Sequence, residues 1–325
     1  MKPGDVTKEP EERREERREQ RRVIISKTVD PFWNLAAEEY FLDTLTENTR
    51  ILLLYINSAA IIIGKHQNPW LEVNLGELAN RNTVLLRRIS GGGTVYHDTG
   101  NLNFSFIGSK DRLDRRENLE FVADVLAFFG IDARITDTHD LYAGDEKISG
   151  NAFCFRRQQV VHHGTLLVDS DLARLEGLLS PPEAGIETHA VRSKPAATVN
   201  ISHFDSGITI EKLTRRMTEA FLGKDKPVEN ISQEDFRPNE VSSLTERNRT
   251  WEWNFGRTPD FKLMVEGITV SIRKGVIAAL EGTRAEKAEP LVGVPFRKRE
   301  LSSLLQTREA GDAGRVISVL YSLSV

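Results

Sequence analysis

The stretch Arg87-Arg88-Ile89-Ser90-Gly91-Gly92-Gly93-Thr94-Val95-Tyr96-His97-Asp98 decides how this chain is read. A β-rich run from Val84 to Ile89 leads into three consecutive glycines, and a second strand is expected over Leu102 to Ile107. Glycines at such a junction allow φ > 0 and let a ligand approach a backbone that carries no Cβ. Two arginines precede them, and a serine, a tyrosine and a histidine stand beside them. Basic, hydroxyl and imidazole groups around one turn suit an anion next to a flat or elongated ligand. A glycine-rich hairpin is the plainer reading of the glycines alone.

Upstream, Asp30-Pro31-Phe32-Trp33-Asn34 opens a helix through Tyr40 and Leu45, with Asn34 the expected N-cap. Ile51–Ile56 and Ala60–Ile63 are β-rich runs separated by Asn57-Ser58, a hairpin signal. The polar segment Gly64 to Trp70 then borders a cleft or covers one, and a short helix runs to Ala79.

Downstream, Leu102, Phe104 and Phe106 alternate with Asn103 and Ser105, the period of a half-buried strand. Leu119, Val122, Leu126 and Phe129 recur at helical spacing until Gly130 ends the helix. Strand resumes over Ile131 to Ile135. Lys147-Ile148-Ser149-Gly150-Asn151-Ala152 follows a Gly144-Asp145 turn, and the small residues after the lysine allow close packing against a ligand. Val160 to Val168 is a strand that sends His162 and His163 to opposite faces, so the pair cannot hold one metal ion. Helices are expected over Leu172–Leu179 and Ile210–Leu222, with a basic segment, Val191 to Pro195, between them. Gly223 to Thr250 shows little regular pattern. Trp251-Glu252-Trp253-Asn254-Phe255-Gly256 is expected to pin that segment to a core. Three strands (Phe261–Val265, Ile268–Ile272, Val276–Leu280) and two short helices near Arg299–Leu305 and Gly314–Leu323 complete a small α+β unit.

The 325 residues carry a formal net charge of -4, which implies no general attraction to nucleic acid. A single cysteine, Cys154, rules out an intrachain disulfide framework and fits a reducing, cytoplasmic setting. Flanked by Phe153 and Phe155, it reads as a small core residue rather than a nucleophile. No apolar run is long enough to span a bilayer. Residues 1–22 are a different material: Lys8 to Arg22 is nearly all glutamate and arginine with no apolar face, and is expected to be a solvated arm.

No G-x-x-x-x-G-K-[ST], H-E-x-x-H, C-x-x-C or G-x-S-x-G motif is present, and Gly91 to Tyr96 does not fit G-x-G-x-x-G. The coherent set that remains is Arg88, Gly91–Gly93, Lys147 and His163, with no obvious nucleophile. Such a set suits catalysis by positioning and charge stabilisation, as in attack of a carboxylate on phosphorus.

The run from Arg87 to Asn101 resembles the signature of the lipoate–protein ligase and lipoyltransferase family. Further matches follow the family's order: Asp30-Pro31-x-x-Asn34-Leu35-Ala36, Gly64-Lys65-x-Gln67-Asn68-Pro69-Trp70, Lys147-Ile148-Ser149-Gly150-x-Ala152, His162 to Leu167, and Trp251 to Gly256. The resemblance covers about residues 23–325 and omits the charged arm. It implies a mixed-sheet α/β catalytic domain over 23–258, like that of biotin ligases, and a small carboxy-terminal α+β domain over 259–325 that rotates between two half-reactions. Lipoate and ATP, with Mg²⁺, would give lipoyl-AMP, and the lipoyl group would pass to a lysine of an apo lipoyl-domain protein. The acceptor would belong to a 2-oxoacid dehydrogenase or be a glycine-cleavage protein, and octanoate is a possible substitute for lipoate.

By the same resemblance Lys147 touches both the lipoyl carbonyl and the α-phosphate. Arg88 and the backbone of Gly93, Thr94, Val95 and Tyr96 hold the adenylate. Ser90, Gly91, Gly92, His97 and His163 line the lipoyl end, and Asp140 is the candidate Mg²⁺ contact. Two positions depart from the family: His139 replaces its usual asparagine, and Cys154 stands where some ligases have arginine. A monomer is expected. A lipoyltransferase that uses preformed lipoyl-AMP and a non-catalytic adenylate-binding scaffold are the rival readings.

Overall fold

The computed structural model describes residues 19–46, 48–181, 185–236, 240–282, 285, 289–307 and 312–324. Most of the expected charged arm therefore lies outside the described residues. Its last four residues do not: strand β1 (Gln20–Ser26) begins inside it. Arg22 donates to both oxygens of Glu229 at 2.7 Å, so the pattern of alternating charge hid an edge-to-edge pairing.

Helix α1 (Pro31–Thr44) starts about one turn earlier than expected. Asp30, not Asn34, is its N-cap, accepting from the Phe32 amide, and the proline occupies the first turn where its missing N–H costs nothing. Asn34 is instead buried. β2 (Thr49–Ile56) and β3 (Ala60–Ile63) follow, but they do not pair as a hairpin. Each is apolar enough to be covered on both faces, and Asn57-Ser58 passes the chain from one sheet to another.

Helices α2 (Pro69–Glu72) and α3 (Leu75–Asn80) lead to β4 (Val84–Arg87), β5 (Val95–His97) and β6 (Asn101–Ser109). β4 and β5 flank β3, parallel and antiparallel respectively, in a three-stranded sheet. Helix α4 (Arg115–Ala127) is capped by Asp114, whose carboxylate accepts from the Arg116 and Glu117 amides. A small antiparallel sheet holds β7 (Ala133–Ile135), β8 (Leu141–Ala143) and β9 (Glu146–Ser149). β10 (Asn151–Arg156) and β11 (Gln159–Leu167) then form a hairpin.

The main sheet has six strands in the order β10-β11-β6-β2-β1-β13, where β13 is Glu229–Ile231. β1 runs parallel to both its neighbours and the other pairs are antiparallel. Alternation along the strands divides the core. Val23, Leu52, Phe104 and Phe106 meet Leu119, Val122 and Leu126 of α4 and Leu213, Met217 and Phe221 of α6 (Ile210–Leu222). Ile24, Leu53, Tyr55 and Ile107 meet Trp33, Ala37 and Phe41 of α1 on the other face. α5 (Leu172–Leu178) lies outside this layer. The polar region after Gly223 holds an unexpected helix, α7 (Ser242–Arg249), whose Arg247 reaches Glu39 of α1; α8 (Trp251–Asn254) follows at once.

The carboxy-terminal sheet contains β14 (Phe261–Val265), β15 (Ile268–Arg273) and β16 (Val276–Glu281), backed by α9 (Lys298–Thr307) and α10 (Asp312–Leu323). Its fourth strand, β12 (Ile186–Thr188), comes from the middle of the chain and pairs antiparallel with β14. Trp70 is buried in the same core, its ring centroid 5.1 Å from Phe261 and 5.3 Å from Phe296. Among the described residues no helix is long and apolar enough to cross a membrane.

Candidate active site

A cleft of about 500 Å³ opens between the three-stranded sheet and the β9–β11 region, within the range of small-molecule sites. Its wall is built first from Arg88. This guanidinium is buried and wrapped by carbonyls: Nη2 donates to Gly91 O and Gly93 O at 2.6 Å, Nη1 to Ile62 O, and Nε to the Ser90 hydroxyl. Burial pulls its pKa down to about 10, opposed by Glu38, and it remains a cation at neutral pH. Its donors thus fold the glycine loop. Gly92 is the loop's one positive-φ residue (84°), and a Cβ there would lie 3.0 Å from Arg88 Nη2. Gly64 is equally constrained by space, since its Cβ would fall 2.3 Å from Gly92 O.

Behind the loop lies a buried polar chain. Ser90 Oγ is 2.7 Å from His163 Nε2, and His163 Nδ1 is 2.9 Å from Glu38 Oε1. Glu38 also accepts from the Ser105 hydroxyl. In the neutral ring Nδ1–H goes to the carboxylate, which leaves Nε2 to accept from Ser90. His162, one residue away, faces the opposite side of the sheet. It stacks on Phe153 at 4.2 Å, bonds to Asn118 and Asn151, and is held well below the usual histidine range by burial.

Lys147 reaches the cleft from the other wall, its Nζ 2.9 Å from Asp140 Oδ1. Gly150 leaves room for that side chain: a Cβ there would sit 3.2 Å from Lys147 Cε. The Lys147 backbone is bridged to Ala197 and Val199, which ties β9 to the segment 189–199, here termed the strap. Val191 N–H donates to His66 O, and Val191 to Ala196 line the cleft. Ser193 accepts from the Thr94 amide at 2.8 Å and from Gln67 Nε2 at 2.9 Å, while its own amide faces buried Glu72.

Of the residues singled out from sequence, Arg88, Gly92, Gly93, Thr94, Val95, His97, Asp140, Lys147, His163 line this one cleft. Ser90, Gly91 and Tyr96 do not. Ser90 is turned into the polar chain, Gly91 O is spent on Arg88, and strand alternation sends Tyr96 into an apolar cluster with Ile61, Ile63 and Leu85. Tyr55, Asn103, Tyr142, Thr165 and the strap also line the cleft. The basic segment at Val191 to Pro195 was the only signal of the strap. Cys154 is half-buried against the α1 core, and burial pushes its thiol pKa up, which disfavours a thiolate nucleophile.

One cleft thus gathers a glycine loop, a lysine and apolar side chains on a mixed α/β fold, the features of a small-molecule enzyme site. Residues 30–222 match the family described as "Lipoyl protein ligase A/B catalytic domain". The chain is 34% identical over 255 residues to Lipoate-protein ligase A of Psychrobacter cryohalolentis, covering 75% of each chain. Among solved structures, P. falciparum LipL1 in complex with lipoate superposes with a TM-score of 0.67 at 23% identity, over 93% of this chain and 98% of that one. A lipoate-protein ligase A bound with ATP gives a TM-score of 0.61 at 27% identity, over 73% of this chain and 99% of that one. The chain belongs to the lipoyl protein ligase A/B catalytic-domain family.

Proposed function

We propose that the protein is a lipoate–protein ligase that joins lipoate to ATP and passes the lipoyl group to a lysine of an apo lipoyl-domain protein. The observation that carries this reading is that Lys147 and the Gly93–Val95 segment line one cleft, while the half-buried Cys154 stands outside its lining. In the first step a lipoate carboxylate oxygen attacks the α-phosphorus, the bond to the bridging oxygen breaks, and pyrophosphate leaves. Lys147 offsets the charge that gathers on the phosphoryl and carbonyl oxygens. In the second step the acceptor's amine attacks the carbonyl carbon of lipoyl-AMP, and AMP departs with the bonding pair.

Backbone amides at Gly93 to Val95 suit the α-phosphate, and Arg88 serves by holding those amides in place rather than by touching the nucleotide. For the Thr94 amide to meet a phosphate oxygen, Ser193 must release it. Asp140 is a lone carboxylate at the lip, and among the described residues no group of three His, Cys, Asp or Glu could hold a metal ion. That donor set fits Mg²⁺ carried in on the triphosphate, which would screen phosphate charge, with Asp140 as its protein contact. The packing of Trp70 and β12 into the carboxy-terminal sheet supports one docked position of that unit, from which a rotation between half-reactions would start.

The test is lipoate-dependent exchange of pyrophosphate into ATP by purified protein. Exchange is expected. Transfer from supplied lipoyl-AMP without exchange would make the protein a transferase, and failure of both would leave only adenylate binding.

A further inference from the structure

Arg87 ends β4 and, unlike Arg88 beside it, does not line the cleft. It is 1% exposed, and its guanidinium donates only to neutral oxygens. Nη1 donates to Gly64 O, Lys65 O and Gln67 O at 3.0, 3.2 and 2.9 Å. Nε and Nη2 both donate to Asn254 O, and Nη2 also to the Thr258 hydroxyl at 2.9 Å. These bonds satisfy the donors without balancing the charge. Among the described residues no carboxylate is paired with it. Glu38 and Glu39 border the same small cavity, but Glu38 is taken up by His163 and Ser105, and Glu39 by Arg247 and Arg156. Burial, then the neighbouring Arg257, lower the Arg87 pKa to about 10, which leaves it charged at neutral pH. The cation also lies close to the glycine loop. Its contact Gly64 is buried, and a Cβ on Gly64 would fall 2.3 Å from Gly92 O. Standard bond lengths then put Arg87 Nη1 no more than about 10 Å from Gly92 O.

We propose that Arg87 is a buried cation whose missing counter-charge is the phosphate of the bound nucleotide, so that it raises affinity for ATP without touching it. The inference rests on the ATP reading above and deepens it. Arg88 has Glu38 near it, so the net positive charge behind the glycine loop is that of Arg87. A charge in packed protein acts over such a distance: at an effective dielectric constant near 20, attraction across roughly 10–13 Å corresponds to about a ten-fold gain in affinity.

The experiment supplies the missing anion from within. Thr258 is 4% exposed and already accepts from Arg87, so Thr258→Asp sets a carboxylate against the cation, and Thr258→Asn gives the same shape without the charge. Titration calorimetry measures the dissociation constant of ATP in wild type and in both variants. Thr258→Asp should bind ATP about five- to ten-fold more weakly than Thr258→Asn. A second pair, Arg87→Lys and Arg87→Met, covers the case in which Thr258→Asp does not fold. Both lose the carbonyl contacts and only the lysine keeps the charge, so Arg87→Lys should bind ATP about five-fold more tightly than Arg87→Met. Equal affinities within a folded pair, with ATP–pyrophosphate exchange present in wild type, would overturn the proposal and leave the ligase reading intact. A wild type that neither binds ATP nor supports exchange would overturn both.

Discussion

Lys147 Nζ and Asp140 Oδ1 lie 2.9 Å apart at the lip of the cleft, a pair formed by β9 and the residue that leads into its neighbour β8 rather than by two domains. Both side chains remain partly open to solvent, 23% and 16% exposed, so the pair is available to a ligand and contributes little to folding. Lys147→Ala should therefore lower adenylation by at least about 10²-fold, the scale of a lost charge-stabilising donor, with an unchanged melting temperature. Normal lipoyl-AMP formation by the variant would remove Lys147 from the chemistry.

Glu38 is the opposite case. It is 1% exposed and shares the core with the Arg88 cation through Ser90 and His163. Glu38→Gln removes the carboxylate that bonds His163 and Ser105 and lies near the Arg88 cation, and losing a buried hydrogen bond to a charged group costs about 1.5–3 kcal/mol. Urea unfolding should show a loss of that order, and a change under about 1 kcal/mol would mean that the carbonyl cage alone balances Arg88.

Gly64→Ala tests the packing of the two loops. The new methyl meets Gly92 O, a backbone atom that moves only with the whole glycine turn. Overpacking of this kind costs about 1–3 kcal/mol. The prediction is a raised KM for ATP that exceeds any change for lipoate, and equal changes for both would refute it.

Acid should weaken the fold before carboxylates protonate. His97 and His162 are held neutral in the native state by burial, His97 with a pKa of about 3. In the unfolded chain both take up a proton near pH 6.5. Below that pH the unfolded state binds more protons than the native one, so stability is intact above about 6.5 and is lost as the pH falls towards the folded values. Melting temperatures from pH 7.5 to 4.5 should decline, and the decline should be shallower in His162→Gln. Parallel curves for the two proteins would exclude His162.

The glycine loop, the Lys147 turn and most strands were legible because each is a local signal: glycine where φ or space demands it, alternation where one face is buried. Glu38, Asn57 and Ser193 were not. A glutamate in a helix and an asparagine in a turn look like surface residues until the fold brings them to a partner more than a hundred residues away, as Glu38 to His163, or forty, as Asn57 to His97. The apparent hairpin at Asn57-Ser58 failed for a related reason. An apolar strand states that it will be covered on both faces, but not by which sheet. Helix α7 was missed because its sequence carries little apolar periodicity, and it meets α1 through Arg247 on Glu39 beside a single core-facing Leu244.

Strand β12 carries one more consequence, which concerns the order in which the molecule can be completed. The strap that lines the cleft is anchored at its start by Thr188, whose hydroxyl donates to Asp260 O and whose strand pairs with Phe261 to Leu263. A ribosome delivers residues 30–222 well before that partner strand, and domains fold as they emerge. The start of the strap is therefore the last part of the cleft's wall to gain its partner, which arrives only with residues 261–263. A stop codon shortly after Thr258 would leave the main sheet buildable and the cleft without a finished wall.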